Sequence, residues 1–255
     1  MSALTTLLFD VDGTLAETEE VHRQSFNRCF QQAGLDWHWS QELYAELLAV
    51  TGGKERIRHY LETYLPDFDA PVKLDEYIAG LHAAKTDIYT KTVASGDIPM
   101  RPGVRRLIEE ARDAGLRLAI ATTTTPVNVT ALLHHNLAPD SEDWFELIAA
   151  GGVVPAKKPA PDIYHYALEK LEVRPDECLA FEDSENGLRS ARDAGLLTLV
   201  TVSRYTEDHD FRGAALVVDN LGEPDSPFTV ISGDAGAHTF VSVDLLQDLH
   251  ARMVG

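Results

Sequence analysis

Six short apolar segments, at residues 4–9, 116–121, 145–150, 178–181, 196–202 and 216–218, punctuate the chain, and helix-like stretches separate most of them. Parallel strands cannot be joined by tight turns, because each connection must cross over and is long enough to hold a helix. Alternation of this kind predicts an α/β fold, a parallel sheet covered by helices on both faces. The helical candidates lie at 103–114, 126–135, 161–171 and 185–194, and Ala114-Gly115 and Ala194-Gly195 read as helix ends closed by glycine.

The gap between the first two apolar segments breaks this rhythm, being far too long for one crossover helix. It predicts an inserted helical unit, with periodic apolar positions at Val21, Phe26 and Phe30, at Ile57, Tyr60, Leu61 and Tyr64, and at Leu74, Ile78 and Leu81. Ser95-Gly96-Asp97-Ile98-Pro99, followed by Arg101-Pro102-Gly103, has the character of a return linker. Hinged at 15–19 and 95–101, the insertion would sit over the carboxyl end of the first strand, where open α/β sheets place their ligands. The expected division is a core of residues 1–16 and 98–255 and a cap of residues 17–97. Beyond the last apolar segment, residues 220–236 are turn-rich and residues 243–253 read as a final helix.

Hydrophobic residues make up 44% and charged residues 25%, which suits a folded chain rather than a disordered one. The balance of 22 Lys plus Arg against 41 Asp plus Glu gives −19 and argues against nucleic acid or an anionic membrane as partner. No stretch approaches a membrane span, and Met1-Ser2-Ala3-Leu4 carries no basic leader, so a cytoplasmic location is expected. Cys29 and Cys178 stand apart from any Cys-x-x-Cys spacing and indicate neither a disulfide framework nor a zinc site.

Chemistry enters directly after Leu7-Leu8-Phe9, where Asp10-Val11-Asp12-Gly13-Thr14 puts two carboxylates at the end of a buried strand. One is placed to attack and the other to shuttle a proton. Three further elements follow other strands. Thr122, extended by Thr123, Thr124 and Thr125, can hold phosphate oxygens, although alone it reads more readily as a helix cap. Lys158, in Lys157-Lys158-Pro159-Ala160-Pro161, offers a fixed cation; alone it is one of a surface lysine pair. Glu182-Asp183 would repel Asp10 and Asp12 unless a cation joined them, and such a hard, oxygen-rich site suits Mg²⁺.

These elements, in this order, resemble the haloacid dehalogenase superfamily over nearly the whole chain. The resemblance implies a Rossmann-like parallel-sheet core with an inserted α-helical cap. It also implies roles: Asp10 as nucleophile and metal ligand, and Asp12 as general acid and base that lends its backbone carbonyl to the metal. Asp183, with its neighbour Glu182, completes the Mg²⁺ site, and Thr122 and Lys158 clamp the phosphate. The superfamily includes dehalogenases, and Asp12 decides against that chemistry here: a departing halide needs no proton, whereas an ester oxygen leaving phosphorus does.

Substrate choice falls to the cap. Ala16-Glu17-Thr18-Glu19-Glu20-Val21-His22, Asp36-Trp37-His38-Trp39, Thr51-Gly52-Gly53-Lys54-Glu55-Arg56 and Lys157-Lys158-Pro159 together look like the CbbY-type phosphatases. That family removes phosphate from xylulose-1,5-bisphosphate, a Rubisco inhibitor of the Calvin cycle, to give xylulose 5-phosphate. The resemblance implies a small-molecule sugar bisphosphate as partner. Its reactive phosphate would lie between Asp10, Thr122, Thr123, Thr124 and Lys158, and its remote phosphate and hydroxyls would meet Gly52, Gly53, Lys54, Arg56, Tyr44 and Glu19. Lys54 and Arg56 read equally as a solvated helix face. His22 reads as a solvated or core-edge histidine, Trp37 and Trp39 as packing for the insertion, and Asn128 as either a hydroxyl contact or an exposed helix position. A β-phosphoglucomutase-like mutase, another sugar-phosphate phosphatase and a catalytically silent binding protein are the competing readings; the last has no use for both aspartates.

Overall fold

The computed structural model describes residues 3–69, 72–95 and 98–254, so Gly96 and Asp97 of the return linker lie outside the described residues. Its strands are β1 (Thr6–Phe9), β2 (Arg117–Thr122), β3 (Leu147–Ala150), β4 (Cys178–Glu182), β5 (Leu197–Thr201), β6 (Leu216–Val218) and β7 (Val230–Gly233). They form one seven-stranded sheet in the order β3-β2-β1-β4-β5-β6-β7. β1 to β6 run parallel, and β7 returns antiparallel along the edge. β1 sits between β2 and β4, with Phe9 opposite Ile120 on one side and Phe181 on the other.

The side-chain period of two divides the apolar strands between two cores. Leu7, Phe9, Leu118, Ile120, Leu179 and Phe181 face one core. It is shared with the helices α5 (Val104–Asp113), α6 (Pro126–Asn136) and α9 (Val243–Val254). Leu8, Ala119, Ala121, Ala149 and Ala180 face the other, under α7 (Asp162–Leu171) and α8 (Glu185–Asp193). Small residues on that face let these two helices approach closely, while each large side chain buried on the first contributes about 1.5–3 kcal/mol. Both expected glycine stops follow α5 and α8, at Gly115 and Gly195, with φ of 75° and 82°.

Between β1 and α5 lie α1 (Glu19–Gln32), α2 (Gln41–Leu47), α3 (Gly53–Tyr64) and α4 (Leu74–Val93), which bury a core of their own around Phe26, Phe30, Trp39 and Tyr60. Trp37 and Trp39 pack as expected, each edge-on to Phe30 at ring distances of 5.3 and 4.9 Å. β7 is the departure from the sequence reading. Residues 220–236 looked only turn-rich because Val230-Ile231-Ser232-Gly233 is exposed throughout and shows no alternation. Its ladder to β6, not its own pattern, makes it a strand.

Candidate active site

In a parallel sheet all strands point the same way, so the chain brings its polar residues together at one edge. Asp10 follows β1, Thr122 is the last residue of β2, and Glu182 is the last of β4 with Asp183 next. Lys158, on the loop before α7, reaches in beneath them. Its ammonium donates to Asp10 Oδ1 at 2.6 Å, to Glu182 Oε1 at 2.7 Å and to the Ala121 carbonyl at 2.9 Å. Tyr164 of α7 also donates to Glu182 Oε1, while Glu182 Oε2 is buried with no partner. Gly13 has φ of 79°, and a Cβ there would strike the Asp183 carboxylate, so the turn after β1 and the acidic pair can meet only because residue 13 is glycine.

Asp10, Glu182 and Asp183 each offer an oxygen within 4.8 Å of the others. Crowded anions in a desolvated place resist ionisation. Burial, with the Glu182 charge beside it, pushes the Asp10 carboxyl up to about 7 despite Lys158. Burial and the charges of Asp10 and Glu182 raise Asp183 well above the ordinary carboxylate range. The donor set is all oxygen and anionic, and one buried oxygen awaits a partner; these residues fit a hard divalent cation.

Asp12 is held differently. Thr18 donates to its Oδ1 at 2.5 Å, and His22 Nε2 lies 3.0 Å from the same oxygen. Burial alone would raise Asp12, but His22 and the Thr18 hydroxyl outweigh it and bring the carboxyl down to about 2. His22 stacks on Tyr89 at 4.0 Å, and Lys85 Nζ meets its Nδ1. The core-edge reading of His22 thus gives way to a buried one beside Asp12. Lys85 had one signal in the sequence, a lysine on the buried Ile78, Leu81, Lys85, Tyr89 stripe of α4.

Burial drives the Lys85 ammonium down to about 7, although Asp12 and Glu19 pull it up. The unfolded chain therefore holds more protons than the fold from about pH 7 to pH 10.5, and stability attributable to Lys85 rises with pH across that window. Lys85→Met is expected to be more stable than the parent near neutral pH, by on the order of 2 kcal/mol, with the gap closing towards about pH 10.5. Urea unfolding of both proteins at several pH values checks this; a gap independent of pH would refute it.

Two adjoining cavities open over the strand ends, of about 270 and 450 Å³. Asp10, Thr122, Lys158, Glu182 and Asp183 line the first; Lys54, Gly53, Thr124, Lys85 and Lys157 line the second. Asp12, Glu19, Gly52, Arg56 and Thr123 border both. The helix-cap reading of Thr122 does not hold: the N-cap of α6 is Thr125, with no side-chain cap bond, and the Thr122 hydroxyl accepts from the Thr124 N–H at 3.3 Å within the turn ahead of the helix. Arg56 is buried rather than on a solvated face, donating to Tyr44 Oη at 3.0 Å and to the Leu47 carbonyl at 3.2 Å. Tyr44 donates in turn to Glu19 Oε2 at 2.7 Å. Tyr44 itself is fully buried behind Arg56 and Glu19 and lines neither cavity. Asn128 is buried too, donating to Thr124 and accepting from Thr90.

A sheet of this order with these side chains at its carboxyl edge defines a phosphoryl-transfer hydrolase. The chain belongs to the haloacid dehalogenase-like hydrolase family, whose model matches residues 4–195, and within it to the CbbY type. It is a phosphatase acting on phosphorylated sugars. It is 50% identical to protein CbbY of Cupriavidus necator over 87% of both chains, and 53% identical to CbbY of Rhodobacter capsulatus over 86% of this chain and 94% of that one. The crystal structure of CbbY from Rhodobacter sphaeroides in complex with phosphate matches at TM-score 0.78 and 46% identity, covering 85% of this chain and 94% of that one. An aspartate-to-asparagine mutant of that protein in complex with xylulose-(1,5)bisphosphate matches at TM-score 0.79, with the same identity and coverage. No helix among the described residues is long and apolar enough to cross a membrane.

Proposed function

We propose that the chain is a Mg²⁺-dependent sugar-bisphosphate phosphatase that converts xylulose-1,5-bisphosphate to xylulose 5-phosphate and phosphate through an aspartyl-phosphate on Asp10. The observation that carries this reading is the second cavity. In a chain of net charge −19, its lining sets Lys54, Arg56, Lys85 and Lys157 against Asp12, Glu19 and Glu55, a local excess of basic side chains beside a cavity that has its own lysine, Lys158. With a divalent cation offsetting the carboxylates of the first, two chambers in contact suit a substrate with two phosphates. The bisphosphate complex of the Rhodobacter sphaeroides protein supports the choice of sugar.

In this reading residues 17–97 are a cap over a core of residues 1–16 and 98–255, and the cap supplies the second chamber. Lys158 fixes Oδ1 of Asp10, which leaves Oδ2 to attack phosphorus in line. As the P–O bond to the sugar breaks, Asp12 gives a proton to the leaving oxygen. Water then attacks phosphorus, Asp12 takes back a proton, and the bond to Asp10 breaks to release phosphate. Thr18 and His22 both engage Oδ1 of Asp12, so Oδ2 is the working oxygen. His22 and Thr18 keep Asp12 ionised and so able to accept a proton, and arrival of a phosphate dianion raises its proton affinity towards the range that proton transfer needs. Asp10, Asp183, the Asp12 carbonyl and Glu182 would hold Mg²⁺, which supplies positive charge to the phosphoryl oxygens when bound.

The test sits in Lys54 and Arg56. Losing one charge-assisted contact to a desolvated phosphate costs roughly 1.5–3 kcal/mol, about tenfold to over a hundredfold in kcat/KM. Lys54→Met and Arg56→Met are expected to lose this much on xylulose-1,5-bisphosphate and far less on an aryl phosphate. Equal losses on both substrates would return these residues to a general role in closure and would remove the remote-phosphate reading.

A further inference from the structure

The segment after β5 carries no motif, yet it touches both halves of the site. Ser203 Oγ donates to Asp183 Oδ2 at 2.8 Å, and the Ser203 N–H donates to Thr206 Oγ1 at 2.9 Å, so the loop is pinned to the acidic pair. Between these anchors Tyr205 leaves the core and enters the helical insertion. Its ring meets Tyr44 edge-on at 5.7 Å, and its hydroxyl donates to Glu20 Oε2 at 2.5 Å. Glu20 is a rigid acceptor, because Arg23 grips both its oxygens at 2.7 and 3.0 Å. The neighbouring Arg204 adds a contact to Gln41 at 3.2 Å.

Glu19 and Glu20 are consecutive in the first turn of α1 and so point in different directions. Glu19 closes the chain Arg56–Tyr44–Glu19 that borders the cavities, and Glu20 closes the bond to Tyr205. Tyr205 therefore grips that chain twice, at the Tyr44 ring and at the start of the helix carrying Glu19. Tyr44 cannot touch substrate from its buried position, so whatever it contributes it contributes by holding Arg56.

We propose that Tyr205 is a positioning residue for the remote-anion chamber: borne by the core, it docks into the helical insertion and fixes the Arg56–Tyr44–Glu19 chain. This inference rests on the bisphosphatase reading. Tyr205 also lines the first cavity, so a substrate that needs only the core clamp should depend on it less than a bisphosphate, whose remote phosphate needs the whole chain in place. A phenol is suited to the task because one side chain supplies a flat apolar edge for Tyr44 and a donor for Glu20.

The experiment compares the parent with Tyr205→Ala and Tyr205→Phe on xylulose-1,5-bisphosphate and on an aryl phosphate, with melting temperatures recorded for each. Displacing a contact group by about 1 Å costs up to about a hundredfold. Tyr205→Ala is expected to lose about tenfold or more in kcat/KM on the bisphosphate, chiefly through KM, with a loss on the aryl phosphate severalfold smaller. Tyr205→Phe keeps the ring and should lose less. In an Arg56→Met background, Tyr205→Ala should cost little more, because both act through one network. Equal fractional losses on the two substrates, additive losses in the double variant, or no loss on the bisphosphate would each overturn the proposal. If Lys54→Met and Arg56→Met remained selective while Tyr205→Ala did not, only the positioning role would fall. A parent indifferent to the second phosphate would remove both.

Discussion

Asp10→Asn is expected to abolish turnover, by about four to six orders of magnitude, while folding and melting like the parent. An amide oxygen is a poor nucleophile and cannot leave the two-step displacement as a carboxylate, so neither half of the cycle can proceed. The fold should tolerate the change. Lys158 loses one charge-assisted bond but keeps Glu182 at 2.7 Å and the Ala121 carbonyl at 2.9 Å. The native carboxyl, pushed from 3.8 to about 7, loses stability as pH rises through that window, and the neutral amide has nothing to ionise. Acid quenching with labelled bisphosphate should trap a phosphoenzyme in the parent and none in the variant. Retained turnover would remove Asp10 as nucleophile, and a large fall in melting temperature would trace the loss to folding instead.

The meeting of Asp10, Thr122, Lys158 and Asp183 was legible because sheet geometry leaves it little freedom. Once Leu7-Leu8-Phe9, Leu118-Ala119-Ile120-Ala121 and Leu179-Ala180-Phe181 are parallel neighbours, the residues that follow them must meet. The insertion was legible as helices, since Phe26 and Phe30, Ile57 and Leu61, and Ile78 and Leu81 recur at helical spacing, but how those helices pack on one another and on the core was not. His22 and Lys85 are 63 residues apart, and their meeting depends on how α1 packs on α4. Tyr205 and Glu20 are 185 apart, with no strand ladder to register them. Burial separated Arg56 from Lys54, two cations on one helix with the same sequence character; the first turns under Tyr44 and the second stays exposed. β7 failed for the opposite reason: an exposed edge strand buries nothing and so leaves no alternation to read.

Removing divalent metal is expected to bring turnover to background, with Mg²⁺ restoring it and Ca²⁺, being larger and less strict in coordination, restoring little. Charge decides this. Asp10, Glu182 and Asp183 crowd within 4.8 Å, Asp12 lies close by, and Lys158 is the cation bonded between Asp10 and Glu182. A phosphate dianion entering that set meets more negative charge than one ammonium offsets, and the strain already shows in Asp10 at about 7 and in the raised Asp183. A readout independent of turnover follows. Ligands must be ionised to bind metal, so Mg²⁺ should raise the melting temperature of the stripped protein more at about pH 8 than at about pH 5. In the Asp183→Asn variant that rise should shrink at both values. Full turnover in excess chelator, with metal content measured as negligible, would refute the metal-dependent mechanism. A melting temperature indifferent to Mg²⁺ at every pH would show that this carboxylate cluster is not where the cation binds.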